Sequence, residues 1–239
     1  PLTSTEFYWA YKNEPIVAHV INNKTLDEKS LNYLLQDNPL HIKIAMINAL
    51  SWGNEQNIVN YKAALQTKYK EHLSNNSLLD SLFIFRGDYP EDFFGTEFIS
   101  PEDLTCMSYM KAMGDYFNPL NAHYCAYRGF MNKPTRSSAY VLALIVAQYY
   151  LDSDWCQVYM VLSSLREDTS IADDGFKEAA VEIIFEYINL YAESCDGADN
   201  QDMNLEFTIE DILQILNLPE QKRQGKKYAD LKAVEILYP

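Results

Sequence analysis

The stretch "ISPEDLTCMSYMKAMGDYF" (residues 99–117) sets the fold class, because it announces a helix within its first five positions. Ser100 is a side chain that caps a helix N-terminus. Pro101 follows at the first helical position, where its missing N–H costs nothing, and Asp103 completes a capping-box arrangement. The same signals recur along the chain. "DNPLHIKIAMINALSWG" (37–53) offers Asn38 as a cap, Pro39 next and Gly53 as a stop. "FNPLNAHYCAYRGF" (117–130) repeats the device with Asn118 and Pro119, "KTLDEKSLNYLL" (24–35) starts at Thr25, and "FTIEDILQIL" (207–216) starts at Thr208 with Asp211 three residues on.

With 3.6-residue periodicity between these signals, the sequence predicts helices near 5–12, 26–36, 39–52, 55–72, 78–85, 101–117, 119–131, 136–151, 154–166, 174–195 and 209–217, with a further one near 226–236. The expected fold is all-α: about ten helices in antiparallel hairpins, as a multi-helical bundle or short α-solenoid. The "NPL" at 38–40 returns at 118–120, a hint of repeated helical pairs. The acidic, poorly periodic stretch 196–207 divides a helical domain, 1–207, from a C-terminal helical appendage, 208–239, packed on it. A single domain over 1–239 is the alternative.

Composition narrows the partners. The chain of 239 residues carries 34 Asp plus Glu against 19 Lys plus Arg, a net charge of −15. That disfavours nucleic acid, which needs a basic footprint, and an anionic membrane surface. The longest apolar run, "AYVLALIVA" (139–147), falls far short of a span. The expected compartment is the cytoplasm, although a chain that starts at Pro1 leaves room for a removed targeting segment.

The charge is concentrated. Residues 152–211 hold sixteen acids and two bases, Arg166 and Lys177, a local balance of −14. Within them, "EAAVEIIFEYINLYAESC" (178–195) stacks Glu178, Glu182 and Glu186 on one line of a helix with no base in the stretch. Like charges at that spacing cost about 0.2–0.5 kcal/mol per pair, so a solvated face accounts for the line without any function. A surface for a basic protein is the sharper reading, since acidic fields speed such encounters. "QYYLDSDWCQVY" (148–159) opens the same region, with Trp155 and Tyr159 beside Asp152 and Asp154. Aromatics among carboxylates suit Lys and Arg side chains through cation–π contacts and ion pairs.

Catalytic signatures are missing. The chain contains no Gly-x-Ser-x-Gly elbow, P-loop or dinucleotide fingerprint. No metal spacing emerges from His19, His41, His72 and His123, and no Glu-x-x-His motif occurs. His123 and Cys125 stand two residues apart, which on a helix points them to different sides. "GDYPEDFFGTE" (87–97) gathers Asp88, Glu91, Asp92 and Glu97 in one loop, without the oxygen spacing of an EF-hand. Cys106, Cys125, Cys156 and Cys195 are far apart in apolar segments and read as free buried thiols.

The first expectation is therefore a non-enzymatic module that holds a basic protein through Asp152, Asp154, Trp155, Tyr159, Asp173, Asp174, Glu178, Glu182 and Glu186, with no cofactor or metal. A stoichiometric inhibitor of the immunity or antitoxin type fits, its carboxylates standing where nucleic-acid phosphates would go. The alternatives are an enzyme assembled from distant helices, with Asp88, Asp92, His123 and Cys125 as first candidates, and a helical-repeat scaffold that binds peptide in an aromatic groove.

Overall fold

A computed structural model describes residues 2–53, 55–71, 98–115 and 119–195. The predicted helices at 78–85, 209–217 and 226–236, the 196–207 boundary and the C-terminal appendage lie outside the described residues. So do His72, Asn118 and the acids of the 87–97 loop.

The protein is all-α. Among the described residues there is no strand, and one isolated bridge joins Thr135 to Ala172. In chain order, a 3₁₀ helix (Phe7–Tyr11) precedes α1 (Pro15–Asn23), α2 (Glu28–Leu35), α3 (Leu40–Ala49), α4 (Glu55–Lys68), α5 (Pro101–Gly114), α6 (Leu120–Asn132), α7 (Arg136–Tyr150), α8 (Trp155–Glu167) and α9 (Glu178–Ile188). A second 3₁₀ helix (Asn189–Cys195) continues from α9.

Helices α5 and α7 form the centre. Eleven of the fourteen residues of α5 are buried, as are thirteen of the fifteen of α7. Neither helix has room for a solvated face, so both are covered on every side. The run "AYVLALIVA" is thus core, and no helix of the described residues is long and apolar enough to cross a membrane. Helix α6 packs antiparallel on α5, because a Cβ at Gly129 would meet Thr105 Oγ1 at 2.5 Å and the Pro101 carbonyl at 2.9 Å. Only a glycine permits that approach.

The N-terminal segment is built into this core rather than laid on it. Buried Asn48 accepts a hydrogen bond from the Tyr8 N–H (3.0 Å) and donates to the Thr5 carbonyl (3.0 Å) and the Tyr109 hydroxyl (2.9 Å). Tyr109 donates in turn to the Thr3 carbonyl, and Gln148 accepts from the Leu2 N–H. Phe7, Tyr8 and Tyr11 are consequently core residues, while Trp9 of the same run is exposed.

Several starts differ from the sequence expectation. Ser100 caps α5 as read, accepting from the Asp103 N–H at 3.1 Å. Asn38 does not cap forward: its amide donates back to the Tyr33 carbonyl at the end of α2, and Pro39 itself occupies the cap of α3. Helix α2 is capped by Asp27 rather than Thr25, because the Asp27 carboxylate accepts from both the N–H and the hydroxyl of Ser30. Of the helix expected at 5–12 only Phe7–Tyr11 is helical, and it is 3₁₀; α1 has no counterpart among the helices the sequence predicts. The helix expected at 174–195 begins only at Glu178, since Gly175 sits at a φ of 90° and Lys177 is extended.

Candidate functional site

Helices α8 and α9 form an antiparallel hairpin that collects most of the expected acids. At its closed end Arg166 meets Glu182, and at its open end Cys156 meets Cys195. Asp154 opens α8 as its N-cap, accepting from the Gln157 N–H at 3.1 Å. This carboxylate therefore has a structural duty beside any binding one. Trp155 follows and is 57% exposed, its indole N–H donating to the Leu151 carbonyl at 2.8 Å. That ring meets Tyr191 of the second 3₁₀ helix in an edge-to-face contact, centroids 6.0 Å apart at 63°. Tyr191 stands edge-on to Tyr187 at 5.6 Å and donates its hydroxyl to that of Tyr187. A short ladder of three aromatic rings thus runs along the open end, with Asp152 and Asp154 exposed at its start. Tyr159, one turn further along α8, is half-buried and packs on the core.

The glutamate line is present and exposed, but it is less bare than its own helix sequence implies. Glu178 is paired with Arg136 of α7 at 3.2 Å, and Glu182 with Arg166 of α8. The bases missing from the stretch are supplied by neighbouring helices. Glu186 remains exposed with no ion pair among the described residues.

Asp173 and Asp174 belong to the loop before α9. Asp173 turns that loop by accepting from the Gly175 N–H at 3.0 Å. Asp174 accepts from the Ser137 N–H in the first turn of α7, where a carboxylate complements the helix dipole, and its carbonyl accepts from His41 Nδ1. Asp174 thus marks one end of α7 and Asp152 the other. A fifteen-residue helix is about 22 Å long, so the nine expected residues are spread over α8, α9 and the loops before them rather than gathered in one compact cluster.

The expectation of four free thiols is corrected: Cys156 and Cys195 form a disulfide across 39 residues, with Cα atoms 4.9 Å apart. The reason is topological. Their spacing in sequence carries no information until the α8–α9 hairpin folds back and brings its ends together. Cys106 and Cys125 are free and buried. Burial pushes both thiols up to about 12 and holds the His123 imidazole down at about 4. The pair His123 and Cys125 is therefore neutral, the opposite of the thiolate and imidazolium that nucleophilic catalysis requires.

One polar group escaped the sequence reading altogether. Asp103, read as a cap-box residue, is fully buried and takes Lys68 Nζ at 2.6 Å on Oδ2, together with the Tyr69 hydroxyl. Among the described residues its second oxygen has no hydrogen-bond partner. The adjacent "KY" at 68–69 was the only signal, and it is too common a pair to stand out.

Comparison with protein-family models, with curated proteins and with solved structures finds no match.

Proposed function

We propose that this is a non-enzymatic binding protein that holds a basic protein through an acidic strip on α8, α9 and the loops that precede them. The observation that carries the reading is Trp155: a solvent-facing indole seated against Tyr191, with carboxylates at 152 and 154. An aromatic face bordered by unburied acids suits Lys and Arg chemically, since the ring takes the cation and the carboxylates take its hydrogen bonds. The exposed Glu186 and the local charge of −14 extend that preference over the encounter distance. In a stoichiometric inhibitor of the immunity or antitoxin kind, these acids would occupy the phosphate-binding groups of a nuclease. The cytoplasm is the compartment this reading assumes.

The experiment is capture from native lysate with the tagged full chain, at low and at high salt, with the double variant Trp155→Ala/Asp152→Lys as the control. The reading expects basic proteins bound at low salt, released at high salt and missing from the variant. The same proteins on wild type and variant would refute it.

A further inference from the structure

Leu190 at 69% and Trp155 at 57% are the most exposed large apolar side chains among the described residues, and both stand at the open end of the α8–α9 hairpin. An indole and a leucine left in water at one end of a hairpin mark a surface that something covers. The Cys156–Cys195 bond brings Asp154 and Glu193 to that end, each two residues from a bonded cysteine. Asp152 lies just before Asp154, and Glu186 adjoins Tyr187 of the aromatic ladder. All four acids are exposed, and none is in an ion pair among the described residues. Elsewhere on the hairpin the acids are answered, Glu178 by Arg136 and Glu182 by Arg166. The open end thus combines apolar surface with unanswered negative charge.

The described residues stop at Cys195, on this face, and the rest of the chain continues from there. Lys222 is the first base after Lys177, and it opens the one basic stretch of an acidic sequence. "PEQKRQGKKYADLK" (219–232) carries Lys222, Arg223, Lys226, Lys227 and Lys232 against Glu220 and Asp230. The 27 residues from Cys195 to Lys222 can span up to about 90 Å, whereas α8 is about 20 Å long, so every acid of the face is within reach. We propose that this face is the docking site of the chain's own basic segment, 219–232, which covers Trp155 and the four acids and competes there with an external basic protein. The inference rests on the binding reading for what is kept out, but not for the docking itself. Lys and Arg of the segment meet indole and carboxylates by the same cation–π contacts and ion pairs that an outside partner would use. Tyr228 and Leu231 bring apolar groups for Trp155 and Leu190. A tethered segment acts at an effective concentration on the order of millimolar, so contacts too weak to hold a free peptide suffice. The consequence is selectivity: a weakly basic protein is turned away, and only a strongly basic one displaces the segment.

The test uses the full chain. Carbodiimide coupling joins lysine amines to carboxylates in direct contact, and a mixture of isotope-labelled and unlabelled chains separates links within a chain from links between chains. Links within one chain should run from Lys222, Lys226 or Lys227 to Asp152, Asp154, Glu186 or Glu193. Links confined to the acids of 196–211, or found only between chains, overturn the proposal. The variant Arg223→Gln/Lys226→Gln/Lys227→Gln releases the segment. Hydrogen exchange across 152–157 and 190–195 should be about threefold or more faster in the variant, and in wild type at high salt, than in wild type at low salt. Equal exchange in all three also overturns it. A nona-arginine peptide at low salt reports the competition: it should bind the variant about tenfold more tightly than wild type, while Lys12→Gln/Lys29→Gln/Lys70→Gln, which removes as much charge elsewhere, should change affinity by less than about twofold. Measurable and equal affinity for wild type and variant overturns the proposal. If the peptide binds neither protein while the links and the exchange difference are present, the docking stands and the binding reading fails.

Discussion

Glu182 of α9 is ion-paired with Arg166 of α8, and the same guanidinium lies 4.5 Å over the ring of Phe185. One arginine thus ties the two helices together and takes the middle carboxylate out of the acidic line. Both partners are partly exposed, so the pair is worth at most about 1 kcal/mol.

Arg166→Gln should therefore cost only about 1–2 kcal/mol, including the lost cation–π contact. Urea unfolding measures this. The substitution also frees Glu182, so association with a basic partner should become faster. A loss well beyond that range would mean that the pair is a buried structural element.

Lys68 and Asp103 form the opposite case. The carboxylate is buried, and the hydrogen bond and charge of Asp103 raise the Lys68 pKa against the lowering effect of burial. Lys68→Met would strand a buried carboxylate and should cost about 3 kcal/mol. Adding Asp103→Asn removes the stranded charge, so the double variant should be more stable than the sum of the single losses predicts. Strictly additive losses in a urea double-mutant cycle would show that the two side chains do not communicate.

His123 sets a pH dependence. Burial holds its imidazole down at about 4, against 6.5 for the free group. Above pH 6.5 both folded and unfolded chains carry it neutral. Between 6.5 and 4 the unfolded chain takes the proton first, so stability falls with pH and levels off below 4. The full loss is about 3 kcal/mol. Chemical denaturation of wild type and His123→Gln from pH 7.5 to 4 checks this: the variant should lack that part of the slope. Parallel profiles would remove His123 from the account.

What the sequence reveals and hides follows from the range of each interaction. Ser100 and Pro101 were readable because the cap is made within three residues, whereas the Asp103 carboxylate, expected to complete a capping box, takes Lys68 and Tyr69 instead and leaves the Ser100 N–H to the Tyr69 hydroxyl. Asp27 outcompeted Thr25 because Ser30 returns two hydrogen bonds to it, a detail no composition rule ranks. Helix α1 was missed because no capping side chain announces it, Glu14 standing at its N-cap without a side-chain hydrogen bond, although Pro15 at its first position was a fair signal. The glutamate line was legible as a line. Its partial neutralisation by Arg136 and Arg166 was not, since those bases arrive from α7 and α8. Cys156 and Cys195 became a pair only through the hairpin, and exposure of Trp155 beside Tyr191 depends on the same closure.

The most direct measurement is the association rate with a captured basic partner across a salt series, for wild type and for Asp152→Lys/Glu186→Lys. These two acids are exposed and neither caps a helix, so their reversal should leave the urea midpoint nearly unchanged. Association should slow and its salt dependence flatten, while dissociation changes much less. Equal rates and equal salt slopes for the two proteins would contradict the account and return the acidic strip to an ordinary solvated face.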